Sequence, residues 1–178
     1  HIYSEEFDND LDEVIGRARA GGVEKVLMPN VDLESIDRLH SVADKYPGYC
    51  IPMMGLHPTS VGQDWQEQLQ TVRKQFEKRQ YVAVGEIGID LYWDKTFEEE
   101  QKKVFEEQLR WSIEYNLPVA IHSREAIAEC IECINNVGAN ELRGVFHSCG
   151  GTDEELSEIL KLKNFFLAIG GVGTFKNS

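Results

Sequence analysis

Short apolar runs without polar alternation recur along this chain, each parted from the next by a segment of helical periodicity. A strand that is apolar throughout is covered on both faces, which is the pattern of parallel β-structure flanked by helices. The runs are Val23 to Met28, Cys50 to Gly55, Tyr81 to Val84, Pro118 to Ile121, Gly144 to Phe146 and Phe165 to Ile169. Leu11, Val14, Ile15 and Ala18 make one helix face from about Asp10 to Ala20, and Gly21-Gly22 ends it. Asp32 is expected to cap a second helix bearing Ile36, Leu39, His40 and Ala43, and Trp65, Leu69, Val72 and Phe76 mark a third. Thr96-x-x-Glu99 and Thr152-x-x-Glu155 read as capping boxes, with a helix on Ala126, Ile127, Cys130, Ile131 and Ile134 between those two.

Two architectures accept such a pattern: a doubly wound open sheet and a (β/α) barrel. No GxGxxG or GxxxxGK[ST] turn follows the first strands, and Gly170-Gly171-Val172-Gly173 lacks the Lys-Ser/Thr of a phosphate loop. The barrel is therefore preferred, as one domain over residues 1–178, with the Gly170 segment as a barrel turn. Its 42% hydrophobic and 28% charged content suits a chain that folds around a core. No apolar run reaches the roughly 20 residues of a membrane span, so no membrane is expected as a partner. The net charge of −13 argues against tight, sequence-specific duplex binding, which needs a basic face. It leaves room for an enzyme that grips one or two phosphates through cations. Cys50, Cys130, Cys133 and Cys149 form no paired CxxC set and read as packed thiols, giving an expectation of cytoplasmic residence.

The chemistry lies where the apolar runs end. Met54-Gly55-Leu56-His57, Val84-Gly85-Glu86, Ala120-Ile121-His122 and Val145-Phe146-His147 each put a His or Glu directly after the run. In a parallel barrel these ends converge on one mouth, so Glu86, His122 and His147 can meet as a divalent-metal site. His1, ahead of Ile2-Tyr3-Ser4 and a helix, sits where a first strand would end. His57 either faces the mouth, where it can contact a phosphate or carry a proton, or steadies its Gly-x-His-Pro turn. Arg124 either forks onto phosphate oxygens or pairs with an acid. Asp90, Tyr92 and Trp93 follow in a mouth loop as substrate contacts, the aromatics stacking on a base or simply packing. Cys149 is read as packing, and His40 lies far from any strand end.

The blocks Gly55-Leu56-His57-Pro58, Gly85-Glu86-Ile87-Gly88-Ile89-Asp90, Ile121-His122-Ser123-Arg124-Glu125-Ala126 and Phe146-His147-Ser148-Cys149-Gly150-Gly151, in that order, resemble the signature blocks of TatD-like hydrolases. His1-Ile2-Tyr3 resembles the tail of that family's opening D-x-H-x-H block. The resemblance implies a TIM-like barrel of the amidohydrolase superfamily and a metal-dependent phosphodiesterase. Its expected form is a deoxyribonuclease working from 3′ ends, with single-stranded DNA ends as substrate and no obligate protein partner. It implies two divalent ions (Mg, Mn or Zn), with Glu86 bridging, His122 and His147 on one ion, and His1 with an upstream histidine on the other. The family's late catalytic Asp falls past Lys176-Asn177-Ser178, so a barrel truncated at both ends is expected. A different ester or amide, such as a misacylated tRNA, and a non-catalytic barrel are the competing readings. A carboxylated lysine would mark the amide branch; here a glutamate holds the bridging place.

Overall fold

The computed structural model describes residues 1–176. Six strands are present: β1 (Val26–Pro29), β2 (Cys50–Met53), β3 (Val84–Asp90), β4 (Val119–Arg124), β5 (Gly144–Phe146) and β6 (Phe165–Leu167). The α-helices are α1 (Leu11–Ala20), α2 (Ile36–Lys45), α3 (Trp65–Arg73), α4 (Gln75–Lys78), α5 (Glu98–Glu114), α6 (Ile127–Val137) and α7 (Asp153–Leu160). β1 pairs with β2, and β3, β4, β5 and β6 pair in that order, all parallel. A bridge between Met54 and Val84 joins the two groups. The strands thus follow one another in chain order without reversal. A doubly wound sheet reverses at a switch point, whereas a barrel wall advances one way, so the order itself selects the barrel.

Two large cores lie between strands and helices, one around Met28, Leu39, Met54, Leu56 and Trp111, the other around Ile87, Ile89, Phe105, Leu109, Ile121 and Phe146. A smaller layer on the opposite face joins Met53, Ala83, Ala120 and Val145. Pairing register extends this inner face to Leu27 at one edge and Phe166 at the other. Their exposures of 54% and 72% mark the two edges of the wall.

Several boundaries differ from the sequence reading, each for a local reason. Glu86 and His122 do not follow their strands; they lie within β3 and β4, which run on to Asp90 and Arg124. Because paired parallel neighbours satisfy the backbone there, polar side chains do not end the strand. Thr96 does not cap α5, which starts after Phe97. Instead the Thr96 N–H and hydroxyl both donate to the Asp94 carboxylate, a nearer acceptor, at 2.8 and 2.6 Å. Asp32 accepts from the Ser35 N–H at 2.8 Å in the turn before α2, and Ser35 is the cap position. The third helix breaks at Lys74 into α3 and α4. The Gly170 segment becomes a 3-10 turn at Gly171–Thr174. The Thr152–Glu155 capping box is formed in full. Asn177 and Ser178 lie outside the described residues.

Candidate metal centre

Glu86 is brought inward by an irregularity. The β3–β4 register shifts between Val84 and Ile87, so Gly85 and Glu86 drop out of that ladder. Such bulges re-aim a side chain. Their N–H groups donate instead to Met54 and Asn30 carbonyls, at 3.0 and 3.4 Å. The carboxylate is 3% exposed and no Lys or Arg pairs with it among the described residues; imidazoles surround it.

His122 Nδ1 lies 3.2 Å from Glu86 Oε1, while its Nε2 is 2.7 Å from Asp90 Oδ2. A carboxylate only accepts, so a protonated His122 donates to both. When the ring is neutral the shorter contact keeps the proton on Nε2 toward Asp90, and Nδ1 is the nitrogen left for a cation beside Glu86. His1 repeats the arrangement: Nδ1 donates to the Pro29 carbonyl at 3.2 Å, and Nε2 faces Glu86 Oε2 at 3.6 Å. The inner ring nitrogens of His1 and His122 therefore both face one buried carboxylate. Only a proton or a metal cation resolves that contact. Outer ring nitrogens tied to a carboxylate or carbonyl, with inner ones left free, are the usual support of metal-ligating histidines. The site chemistry fits a divalent ion.

His57 differs. The Thr59 N–H donates to its Nδ1 at 3.3 Å, which leaves the proton on Nε2, 3.9 Å from Glu86 Oε1. Ligand-capable atoms of His57, Glu86 and His122 all fall within 4.8 Å of one another. The tautomer nevertheless makes His57 a donor into the site rather than a ligand. Its ring accepts from its own turn and also lies near the Glu86 carboxylate, so the two alternatives read from the sequence are not exclusive in geometry.

Electrostatics follow the same geometry. Burial pushes the Glu86 carboxyl up, but hydrogen bonds from His1 and His122 and the charges of His57 and His147 outweigh it and hold it well below the usual range. The Glu86 hydrogen bond raises His1 against the lowering effect of burial. Burial lowers His122, yet its bonds to Glu86 and Asp90 leave it raised. Burial, aided by the charge of His122, brings His57 down to about 4, so it is neutral at physiological pH.

His147 follows β5 as expected, its N–H donating to the Ile121 carbonyl at 2.7 Å, but its side chain is exposed and stands outside the close group. Asp90 is not out in the mouth loop. It is 4% exposed, beneath His122, with Oδ1 taking the Tyr92 N–H at 3.0 Å. Tyr92 and Trp93 do lie in the loop, 51% and 74% exposed. The Arg124 guanidinium rests 3.6 Å from the centre of the Tyr92 ring. His40 is remote, stacking on Tyr81.

Three supports were not foreseen from sequence. Gln108 of α5 holds the Leu56 backbone at both ends, accepting from its N–H at 2.7 Å and donating to its carbonyl at 3.2 Å. Gln101 does the same to Asp90, at 2.8 and 3.2 Å. Asn30, wholly buried, donates to the Gly55 and Asp32 carbonyls at 2.9 Å. The signal for the glutamines was two amides seven positions apart on the apolar face of α5. Finally, Gly88 has φ +140°, and a Cβ there would stand 2.0 Å from the His122 carbonyl oxygen. That close approach of β3 to β4 needs a residue without a side chain.

A family model described as TatD related DNase matches residues 1–178. The chain is 34% identical over its whole length to a Bacillus subtilis protein named uncharacterized metal-dependent hydrolase YabD, spanning 69% of that protein. It is 35% identical over 172 residues to a Cronobacter turicensis protein named 3′-5′ ssDNA/RNA exonuclease TatD, 96% of this chain against 64% of the relative. The crystal structure of YJJV, a TatD homologue from Escherichia coli K12, superposes with a TM-score of 0.90 at 28% identity, covering all of this chain and 68% of that one. The chain thus spans about two thirds of the length of these relatives.

Proposed function

The chain belongs to the TatD related DNase family, and from that premise we propose that it is the greater part of a metal-dependent phosphodiester hydrolase acting on nucleic-acid ends. The observation that carries this reading is the pair of inner ring nitrogens, from His1 and His122, that face the buried Glu86 carboxylate. In the proposed two-ion form Glu86 would be shared between the ions, His1 would hold one and His122 with His147 the other. Bound divalent ions of this kind supply Lewis acidity toward a phosphoryl oxygen and acidify water. Magnesium, manganese and zinc all suit the donor set.

The chain's own residues do the rest. Glu86, held well below the usual carboxylate range by the imidazoles around it, is the buried anion that would attract a cation. Neutral His57 offers Nε2–H to a phosphoryl oxygen and stabilises the charge that builds there. Asp90 fixes the ring plane and tautomer of His122. Relatives carry the name 3′-5′ ssDNA/RNA exonuclease, which supports a strand end as the substrate. Among the described residues Glu86 pairs with histidines and no lysine, which disfavours the carboxylated-lysine amide chemistry.

The test is metal restoration. Full-length protein stripped with EDTA is supplied with Mg²⁺, Mn²⁺ or Zn²⁺ and a 5′-labelled single-stranded oligonucleotide. A ladder of products shortened from the 3′ end, present only with metal, is expected. An intact oligonucleotide with every ion, beside release of an amino acid from misacylated tRNA, would turn the assignment to ester hydrolysis. Within the same preparation, Asp90→Ala should weaken metal affinity by about 10–100-fold, since it frees the ring that the carboxylate orients. Calorimetric titration with Mn²⁺ reads this directly.

A further inference from the structure

Arg17, Arg38, Arg73, Arg79 and Arg110 each pair with a carboxylate, as befits a chain of net charge −13. Arg124 does not. Among the described residues its guanidinium has no ion pair and donates no hydrogen bond; it lies 3.6 Å over Tyr92 and 5.3 Å from the Trp93 ring centre. The acid that could have neutralised it is its register partner in β3, Asp90. Both oxygens of that acid are already committed, one to His122 and one to the Tyr92 N–H. Tyr92 and Trp93 meet edge to face, with ring centroids 4.7 Å apart, and form a shelf under the guanidinium. The five N–H donors of this exposed, planar fork thus have no protein acceptor among the described residues.

Strand geometry sets the distance. Ala120, His122 and Arg124 alternate onto the inner face of β4, and Arg124 is the next inner residue after His122 toward the mouth. Two residues along a strand span roughly 6.6 Å, a step comparable to that between consecutive phosphates of an extended nucleic-acid strand. The Leu91 N–H donates to the Arg124 carbonyl at 3.1 Å and anchors the backbone there. We propose that Arg124, steadied on Tyr92 and Trp93, is a second phosphate subsite, which takes the phosphate adjacent to the scissile one. Trp93, 74% exposed, offers its free face to the attached base. The centre then acts on polynucleotide strands in preference to isolated phosphodiesters. This rests on the nuclease reading above and adds to it a requirement for a neighbouring charge.

The experiment couples a protein change to a substrate change. Metal-loaded full-length protein, as wild type, Arg124→Gln and Arg124→Lys, is given single-stranded oligonucleotides of one sequence, as DNA and as RNA. They carry ordinary phosphates throughout, or one uncharged methylphosphonate at the linkage next to the 3′-terminal one. Loss of a charge-assisted fork should lower kcat/KM of Arg124→Gln on the charged substrate by about 10–100-fold. The methylphosphonate should cost wild type a similar factor and cost Arg124→Gln nothing further, with Arg124→Lys between the two. Fluorescence anisotropy of the same oligonucleotides in EDTA should show the same coupling without turnover. Losses that multiply independently, or a wild type indifferent to the methylphosphonate, would overturn the subsite while leaving the nuclease reading intact. An effect confined to RNA would overturn it as well, by pointing to the 2′-hydroxyl instead of the phosphate. A wild type that cuts none of the unmodified strands with any ion would overturn both.

Discussion

Glu86→Ala is expected to cut metal-dependent cleavage at least about a thousandfold, a loss of roughly 4 kcal/mol of transition-state stabilisation, while the protein remains folded. The carboxylate is the one group that both His1 Nε2 and His122 Nδ1 face. Without it the remaining imidazoles have no shared anion, and each proposed ion loses a ligand. The fold should survive because Glu86 contributes little to apolar packing and lies outside the β3–β4 ladder. The two histidines are 40% and 21% exposed and can turn to water. Activity on a single-stranded oligonucleotide, metal content after dialysis, and thermal melting of the metal-free forms check the three parts separately. Full activity in the variant, assayed with Mg²⁺ or Mn²⁺ after EDTA stripping, would reject the site. Glu86→Gln tests the same point with the shape preserved.

Gln108→Leu should have the largest effect on stability, a loss of about 2–6 kcal/mol. Gln108 is fully buried, and its amide satisfies both the N–H and the carbonyl of Leu56, which is itself fully buried. Leucine fills similar space but leaves both backbone groups unmatched, each at a cost of about 1–3 kcal/mol. Urea unfolding should show a lower midpoint at an unchanged slope. Since Leu56 is next to His57, activity should fall beyond what the unfolded fraction explains. A midpoint equal to wild type would mean that water replaces the amide, and that the clamp is dispensable.

What the sequence disclosed and what it hid divide along physical lines. Apolar runs without alternation gave the parallel strands, and a missing phosphate loop favoured the barrel that the strand order establishes. Residue type and position near strand ends were enough to bring Glu86, His122, His57 and His1 to one neighbourhood. Position alone could not separate a donor from a ligand. For His57 the Thr59 N–H decides, and for His122 the Asp90 carboxylate, and both are facts of orientation. Asp90 was assigned to the mouth loop because the strand was expected to stop at Val84; the extra pairing of β3 carries it inside. Thr96 misled as a cap because the competing acceptor, Asp94, was two residues away. The glutamine clamps were visible only as an anomaly, two amides on an apolar helix face, whose partners lie 52 and 11 positions away in the chain.

The crossing of β3 and β4 at Gly88 has a meaning for how this chain can vary. The His122 carbonyl occupies the space where any side chain at 88 would begin. A saturation library there should return glycine alone, whereas Gly16 on α1, with nothing within 4 Å, should accept most residues. One glycine is spare capacity for evolution; the other is a fixed point through which every working descendant has to pass.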